Sequence, residues 1–120
     1  SVLLKEPQIL LLDEPVSALD LHHQCVLLEN VKKHTKGQNL LTLVILHDLS
    51  LASQFADELI ILHQAKIKAK DKPENVLNKD LLKEVYRIDA DIFYCERGLP
   101  CVLAKSATKE LKGKENENFN

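Results

Sequence analysis

Two short apolar runs with a helical segment between them constrain the fold more than any other feature of the chain. Residues 8–13 (QILLLD) lie between Pro7 and Pro15, and residues 40–46 (LLTLVIL) form the second run. Neither alternates apolar with polar residues, which is the pattern of strands covered on both faces of a parallel sheet. Residues 21–35 between them read as a helix. Asp20 can cap its N-terminus, Lys32, Lys33, His34 and Lys36 suit its negative end, and Gly37 can close it. Strand, helix and strand in this order make a βαβ unit.

Further along, residues 49–56 read as a short helix with Asp48 or Ser50 near its start, and residues 58–62 as a third strand. Residues 66–70 place Lys66, Lys68 and Lys70 in alternation, as an exposed edge strand does to resist pairing. Residues 73–77 and 79–86 are expected to be helical. Residues 88–95 and 102–103, separated by Gly98 and Pro100, are expected to form a small terminal hairpin. From Lys105 onward the chain is mostly Lys, Glu and Asn with little to bury, the composition of a disordered tail.

Composition narrows the function. With 120 residues and a net charge of −2, the chain lacks the basic footprint of a nucleic-acid binder. Only 4% of its residues are aromatic, leaving few side chains to stack on a base. No apolar run approaches the roughly 20 residues that span a bilayer, and no signal peptide opens the chain. Three cysteines, an odd number without a CxxC pair, fit a reducing, cytoplasmic setting. Three scattered glycines (Gly37, Gly98, Gly113) exclude a glycine-rich phosphate loop within this chain. The sequence contains no Met, as expected of a processed start or of a segment from inside a longer polypeptide.

The chemistry gathers at the ends of the two apolar strands. Asp13 and Glu14 sit at the carboxyl end of the first, where open α/β sheets place their ligands. An acid there is costly unless it is solvated, paired or bound to a metal. Successive residues point different ways, so one carboxylate can hold Mg²⁺ through its waters while the other orients a water for attack on phosphate. The second run leads straight into His47, which can donate to a terminal phosphate or position that water. A bare Asp-Glu pair can simply end a strand in a polar turn, and a strand-end His can be structural. Their combination across one βαβ unit makes coincidence far less plausible.

In these residues the chain resembles the ATPases of ATP-binding cassette (ABC) transporters. Leu10, Leu11, Leu12, Asp13 and Glu14 look like the Walker B motif with its following glutamate. Ser17, Ala18, Leu19 and Asp20 resemble the D-loop, and His47 resembles the switch histidine. The run Leu46-His47-Asp48-Leu49-Ser50-Leu51-Ala52, then Phe55-Ala56-Asp57, and His22-His23-Gln24 after the D-loop are most similar to importers of ferric siderophores, haem and cobalamin. The likeness runs from about Leu4 to Tyr86. It implies the C-terminal part of a P-loop NTPase (RecA-like) core in the α/β class, with parallel strands, helices and a small terminal hairpin. The implied organisation is a core over residues 1–86, an extension over 87–104 and a tail over 105–120.

By the same resemblance, Glu14 would polarise the lytic water, Asp13 would help hold Mg²⁺ and His47 would contact the γ-phosphate of ATP. Ser17, Ala18, Leu19 and Asp20 would lie at an interface with a second cassette in a homodimer. Asp20 has a competing structural role as helix N-cap, and one carboxylate can serve both. The implied partners are that second cassette and membrane permease subunits, at the cytoplasmic face of the membrane, with no nucleic acid. Two departures from the family concern turns: Gln64-Ala65 replaces an acidic residue and glycine, and Asp71-Lys72 stand where a glycine usually precedes Pro73. The phosphate loop GxxxxGK[ST], the adenine-stacking aromatic, the glutamine loop and the LSGGQ-type signature are missing, so the chain by itself is expected to be inactive. A non-catalytic interaction module and a degenerate gene fragment are the alternatives.

Other candidates carry less. His22, His23 and Asp20 cannot converge on a metal readily, because adjacent helical residues diverge, and the histidines read as solvated. Cys95 and Cys101 can meet across the terminal hairpin, although free thiols fit the expected compartment. Cys25, beside Val26, Leu27 and Leu28, is expected to pack in the core.

Overall fold

A computed structural model describes residues 9–108. Gln8 and residues 109–120 of the expected tail lie outside the described residues. The chain divides into two compact units, one ending at Phe55 and the other beginning at Ala56.

The first unit contains β1 (Ile9–Asp13), α1 (Leu21–Gly37), β2 (Leu41–Ile45) and α2 (Leu49–Phe55). β1 and β2 pair in parallel, with Ile9 opposite Leu41 and Asp13 opposite Ile45, so the expected βαβ unit is present. Asp20 caps α1 by accepting a hydrogen bond from the His23 backbone N–H at 2.9 Å. The helix runs two residues past Thr35, and the left-handed turn expected near Gly37 is made by Asn39, at φ 55°. Asn tolerates that conformation because its short polar side chain can bond locally. Thr35 on α1 bonds Thr42 on β2 through their hydroxyls, tying the helix to one face of the sheet.

The other face corrects the expectation of strands covered on both sides. Ile9 and Leu11 of β1 and Leu41, Leu43 and Ile45 of β2 remain 42–63% exposed. Side chains alternate along a strand, and the parallel register aligns these five on one face. Within the first unit, α1 is tied to the opposite face, where Thr35 bonds Thr42. Cys25 is likewise exposed, against the expected core position. Neighbouring helical residues point about 100° apart, and Leu28 is the residue of α1 that becomes buried. Ser53 on α2 is fully buried with its hydroxyl unpartnered.

The second unit holds two antiparallel hairpins joined by short helices. β3 (Leu59–His63) pairs with β4 (Lys66–Asp71), and β5 (Ile88–Tyr94) pairs with β6 (Pro100–Ala107). Between them lie α3 (Pro73–Val76), α4 (Lys79–Leu81) and a π-helical turn (Leu82–Tyr86). Val76, Leu77, Leu81 and Leu82 of this connection are buried, with Leu59, Ile61 and Ala90 from the strands. Strand β6 continues through Ala107, so residues 105–107, assigned to the tail by composition, belong to it, with Ser106 and Ala107 paired with Asp89 and Ile88 and Lys105 at the register shift. The loop at the tip of β5–β6 closes with Gly98 at φ 80°, where its N–H donates to the Cys95 carbonyl at 2.8 Å.

Both glycine-free turns form by other means. Gln64 and Ala65 adopt φ 52° and 63°, the pair of left-handed conformations of a two-residue hairpin. The Asp71 carboxylate accepts the Lys72 N–H at 2.7 Å, and Pro73 starts α3 with its fixed φ. That hydrogen bond, with a second from the Asn75 side chain, holds the Asp71 carboxyl below the usual carboxylate range.

The left-handed conformation strains a residue bearing a Cβ by about 1–2 kcal/mol, partly offset by the chain entropy that glycine loses on folding. Ala65→Gly is therefore expected to stabilise the protein by about 0.5–1 kcal/mol, read as a raised midpoint in urea unfolding. A lower midpoint would show that the turn does not carry this strain.

Candidate functional site

The site lies where the two parallel strands leave the sheet. Asp13 ends β1 opposite Ile45, and the Glu14 N–H extends the pairing by donating to the Ile45 carbonyl at 2.9 Å. Glu14 then turns at φ 51°, left-handed and without a glycine's freedom. Such a backbone is seldom held without surrounding constraints and is concentrated at functional sites.

The turn separates the two carboxylates. Asp13 is exposed at the strand end. The Glu14 side chain is only 23% exposed, and its Oε1 is enclosed without a hydrogen bond. His47 leaves β2 beside it and brings Nε2 to 3.5 Å from that oxygen, with its own ring 86% exposed. The contact is within ion-pair reach when His47 is protonated, but it is not aligned as a hydrogen bond. An enclosed acceptor of this kind is satisfied by a donor such as water. Asp48 caps α2, its carboxylate accepting the Leu51 N–H at 2.9 Å.

Beyond Glu14 the chain makes two successive turns to α1. Ser17 N–H donates to the Glu14 carbonyl at 3.4 Å and Leu19 N–H to the Val16 carbonyl at 3.0 Å. Val16 is buried, whereas Ser17, Ala18, Leu19 and Asp20 are exposed. Asp20 Oδ1 receives both the His23 N–H and, at 2.7 Å, His23 Nδ1. The backbone N–H of His23 chiefly, then its ring, holds the Asp20 carboxyl below its usual range. The cap role is thus directly visible.

The structure therefore brings Glu14 and His47 together, leaves Asp13 on the open side and puts residues 17–20 in a separate exposed loop. His22 and His23 stack edge to face at 5.1 Å. Among the described residues, no cluster of three or more His, Cys, Asp or Glu side chains is arranged to hold a metal. Cys95 and Cys101 are free thiols, and backbone N–H groups of Leu99 and Arg97 hold the Cys95 thiol below its usual range. Residue-type reasoning missed Gln24, whose side-chain amide donates to the Leu19 carbonyl at 3.0 Å and the Val16 carbonyl at 3.5 Å. Its only sequence signal is a long polar donor in the first turn after a loop.

In this mixed α/β chain the carboxylates and the imidazole sit at the carboxyl ends of parallel strands, where open α/β sheets bind their ligands. No protein-family model matches the chain. Among solved structures it is similar to a metal-chelate type ABC transporter in an inward-facing conformation, with a TM-score of 0.68 and 21% identity over 82% of this chain and 40% of that one. In sequence it is similar to the hemin import ATP-binding protein HmuV of Plesiomonas shigelloides, 42% identical over 87 residues. The match covers 72% of this chain and 33% of that protein. The HmuV of Vibrio parahaemolyticus is 46% identical over 81 residues, or 68% of this chain and 31% of its own. That of Rhodopseudomonas palustris is 38% identical over 103 residues, or 86% and 39%. The chain is homologous to ABC transporter ATP-binding proteins over about 70% of its length or more, and it spans about a third of the length of the curated relatives it matches.

Because the His47 ring is mostly solvated, its removal should leave stability nearly unchanged. His47→Ala is expected to shift the unfolding free energy by less than about 0.5 kcal/mol in denaturant titration. A loss above about 1 kcal/mol would assign His47 a structural role instead.

Proposed function

We propose that this chain supplies the water-activating part of an ATP-hydrolysing cassette that drives an importer of metal chelates. The observation that carries the reading is the enclosed, unpartnered Glu14 Oε1 beside His47 Nε2 at the end of two parallel strands. A carboxylate oxygen held there can accept a proton from an attacking water, and the exposed imidazole can donate to a phosphate oxygen. Asp13, exposed at the strand end, suits a Mg²⁺ ion held through its waters. Bound Mg²⁺ would neutralise charge developing on the phosphates.

The donor set fits only part of a Mg–ATP site. One exposed carboxylate, one enclosed carboxylate and one imidazole handle water and metal. The chain has no GxxxxGK[ST] loop to cradle phosphates. Ser17, Ala18, Leu19 and Asp20, exposed in their loop, are the surface we assign to a second cassette in a homodimer. Membrane permease subunits are the other partners, and they would hold the chain at the cytoplasmic face. Among the described residues no helix is long and apolar enough to cross a membrane itself. The cargo proposed is haem, on the relatives' names, within a group that includes ferric siderophores and cobalamin. In domain terms, residues 1–86 are assigned this role, with residues 87–107, through the end of β6, as an extension.

The test replaces the corresponding segment of a haem-import relative with this chain and measures ATP turnover. Glu14→Gln in that chimera should nearly abolish hydrolysis while ATP still binds. Turnover at the parent chimera's level would remove Glu14 from the chemistry. The 120-residue chain alone is expected to show no ATPase activity and no micromolar ATP affinity by calorimetry.

The exposed apolar face of β1 and β2 favours a second reading, a non-catalytic module that pairs with another polypeptide through that face. Sedimentation should then show self-association or capture of a complementary cassette segment. A soluble monomer that binds neither would oppose this reading.

A further inference from the structure

Three side-chain contacts from the first turn of α1 converge on the loop that follows Glu14. Gln24 Nε2 reaches the carbonyls of Leu19 and Val16, at 3.0 and 3.5 Å. His23 contacts Asp20 Oδ1 through its ring at 2.7 Å, in addition to its backbone N–H at 2.9 Å. The Val16 carbonyl also takes the Leu19 N–H, and the Glu14 carbonyl takes the Ser17 N–H. The hydrogen bonds from the helix therefore end on Val16 and Leu19, and the Ser17 N–H bond to the Glu14 carbonyl closes the adjoining turn of the same loop. Ionised Asp20 only accepts, so the ring proton of His23 must lie on Nδ1. A side-chain amide bonding backbone carbonyls has a similarly one-sided role, since only its N–H₂ can serve.

We propose that His23 and Gln24 are positioning residues. Together they clamp the loop from Pro15 to Asp20 onto the helix and so fix the direction in which Glu14, Ser17 and Leu19 are presented. The geometry favours this over simple helix capping. A cap needs only the Asp20 carboxylate and a backbone N–H, whereas the side-chain amide of Gln24 donates to carbonyls five and eight residues back, outside the helix. The consequence for catalysis rests on the ATPase reading above. The clamp itself does not, and the two are tested separately.

Nitrogen-15 NMR of the whole chain reads the clamp directly. Neutral His23 should carry its proton on Nδ1 in the wild type and shift toward Nε2 in Asp20→Ala. Amide exchange of Leu19 and Ser17 should rise about three- to tenfold in Gln24→Ala, the range expected for one lost hydrogen bond of ordinary strength. The β1–β2 ladder amides should keep their protection. Gln24→Glu, of equal size but without an amide donor, should behave like Gln24→Ala. Wild-type-like exchange in Gln24→Glu, or an Nε2 proton on His23 in the unmutated chain, would overturn the clamp. In the haem-import chimera, Gln24→Ala should lower turnover more than ATP affinity. Unchanged turnover with a loosened loop would leave the clamp standing and refute only its catalytic consequence.

Discussion

The site depends on the parallel register of β1 and β2. Because Asp13 faces Ile45 and the Glu14 N–H takes the Ile45 carbonyl, the two strands end together and their next residues emerge side by side. Glu14 turns left-handed at once and His47 follows two residues after Ile45, which leaves Nε2 3.5 Å from Oε1. A shift of one residue in either strand would exchange its two faces. It would place a different side chain beside Glu14 and move the apolar residues of both strands relative to α1. The approach of His47 to Glu14 and the packing of the first unit are thus set by one ladder.

That same ladder leaves the first unit underburied. Full burial of a Leu or Ile stabilises by roughly 1.5–3 kcal/mol, and five such residues on one sheet face are only partly withdrawn from water. Two-stranded sheets gain independent stability by adding strands or a covering helix. The described residues of the first unit provide a helical layer on one side only. The uncovered face is therefore where additional polypeptide would gain most, whether it belongs to the same molecule or to another.

What was legible in the sequence follows from what periodicity can encode. Continuous apolar runs identify β1 and β2, and the Asp-Glu and His residues at their ends mark the site. A run of apolar residues does not say whether a covering layer is present, so the exposure of Leu11 and Leu43 could not be read from it. Cys25 was misplaced because an apolar neighbourhood in sequence spreads around a helix, and here Leu28 takes the inward position. The tight turn at Gln64-Ala65 forms without glycine because the paired strands enforce its positive φ values. The contacts of Gln24 reach five and eight residues back, a spacing with no periodic signature.

Charge bears on the proposed division of labour, in which these residues would handle water and another segment would hold the triphosphate. Asp13, Glu14, Asp20 and Asp48 lie around the strand ends and the helix starts beside them, with His47 as the adjacent imidazole. The N-terminus of α1, which could attract an anion through its free N–H groups, already receives the Asp20 carboxylate. The lysines of the unit, Lys32, Lys33 and Lys36, line an open groove near the far end of α1 with Phe55. At 1.5 Å per residue, they are about 20 Å from Asp20 along the helix. At that separation their attraction is screened by salt over a Debye length of about 8–10 Å. Under the proposed function, the described lysines of this unit are therefore too distant to hold ATP at the strand ends. On that reading, the carboxylate-bearing strands would polarise water only when another segment delivers the phosphate.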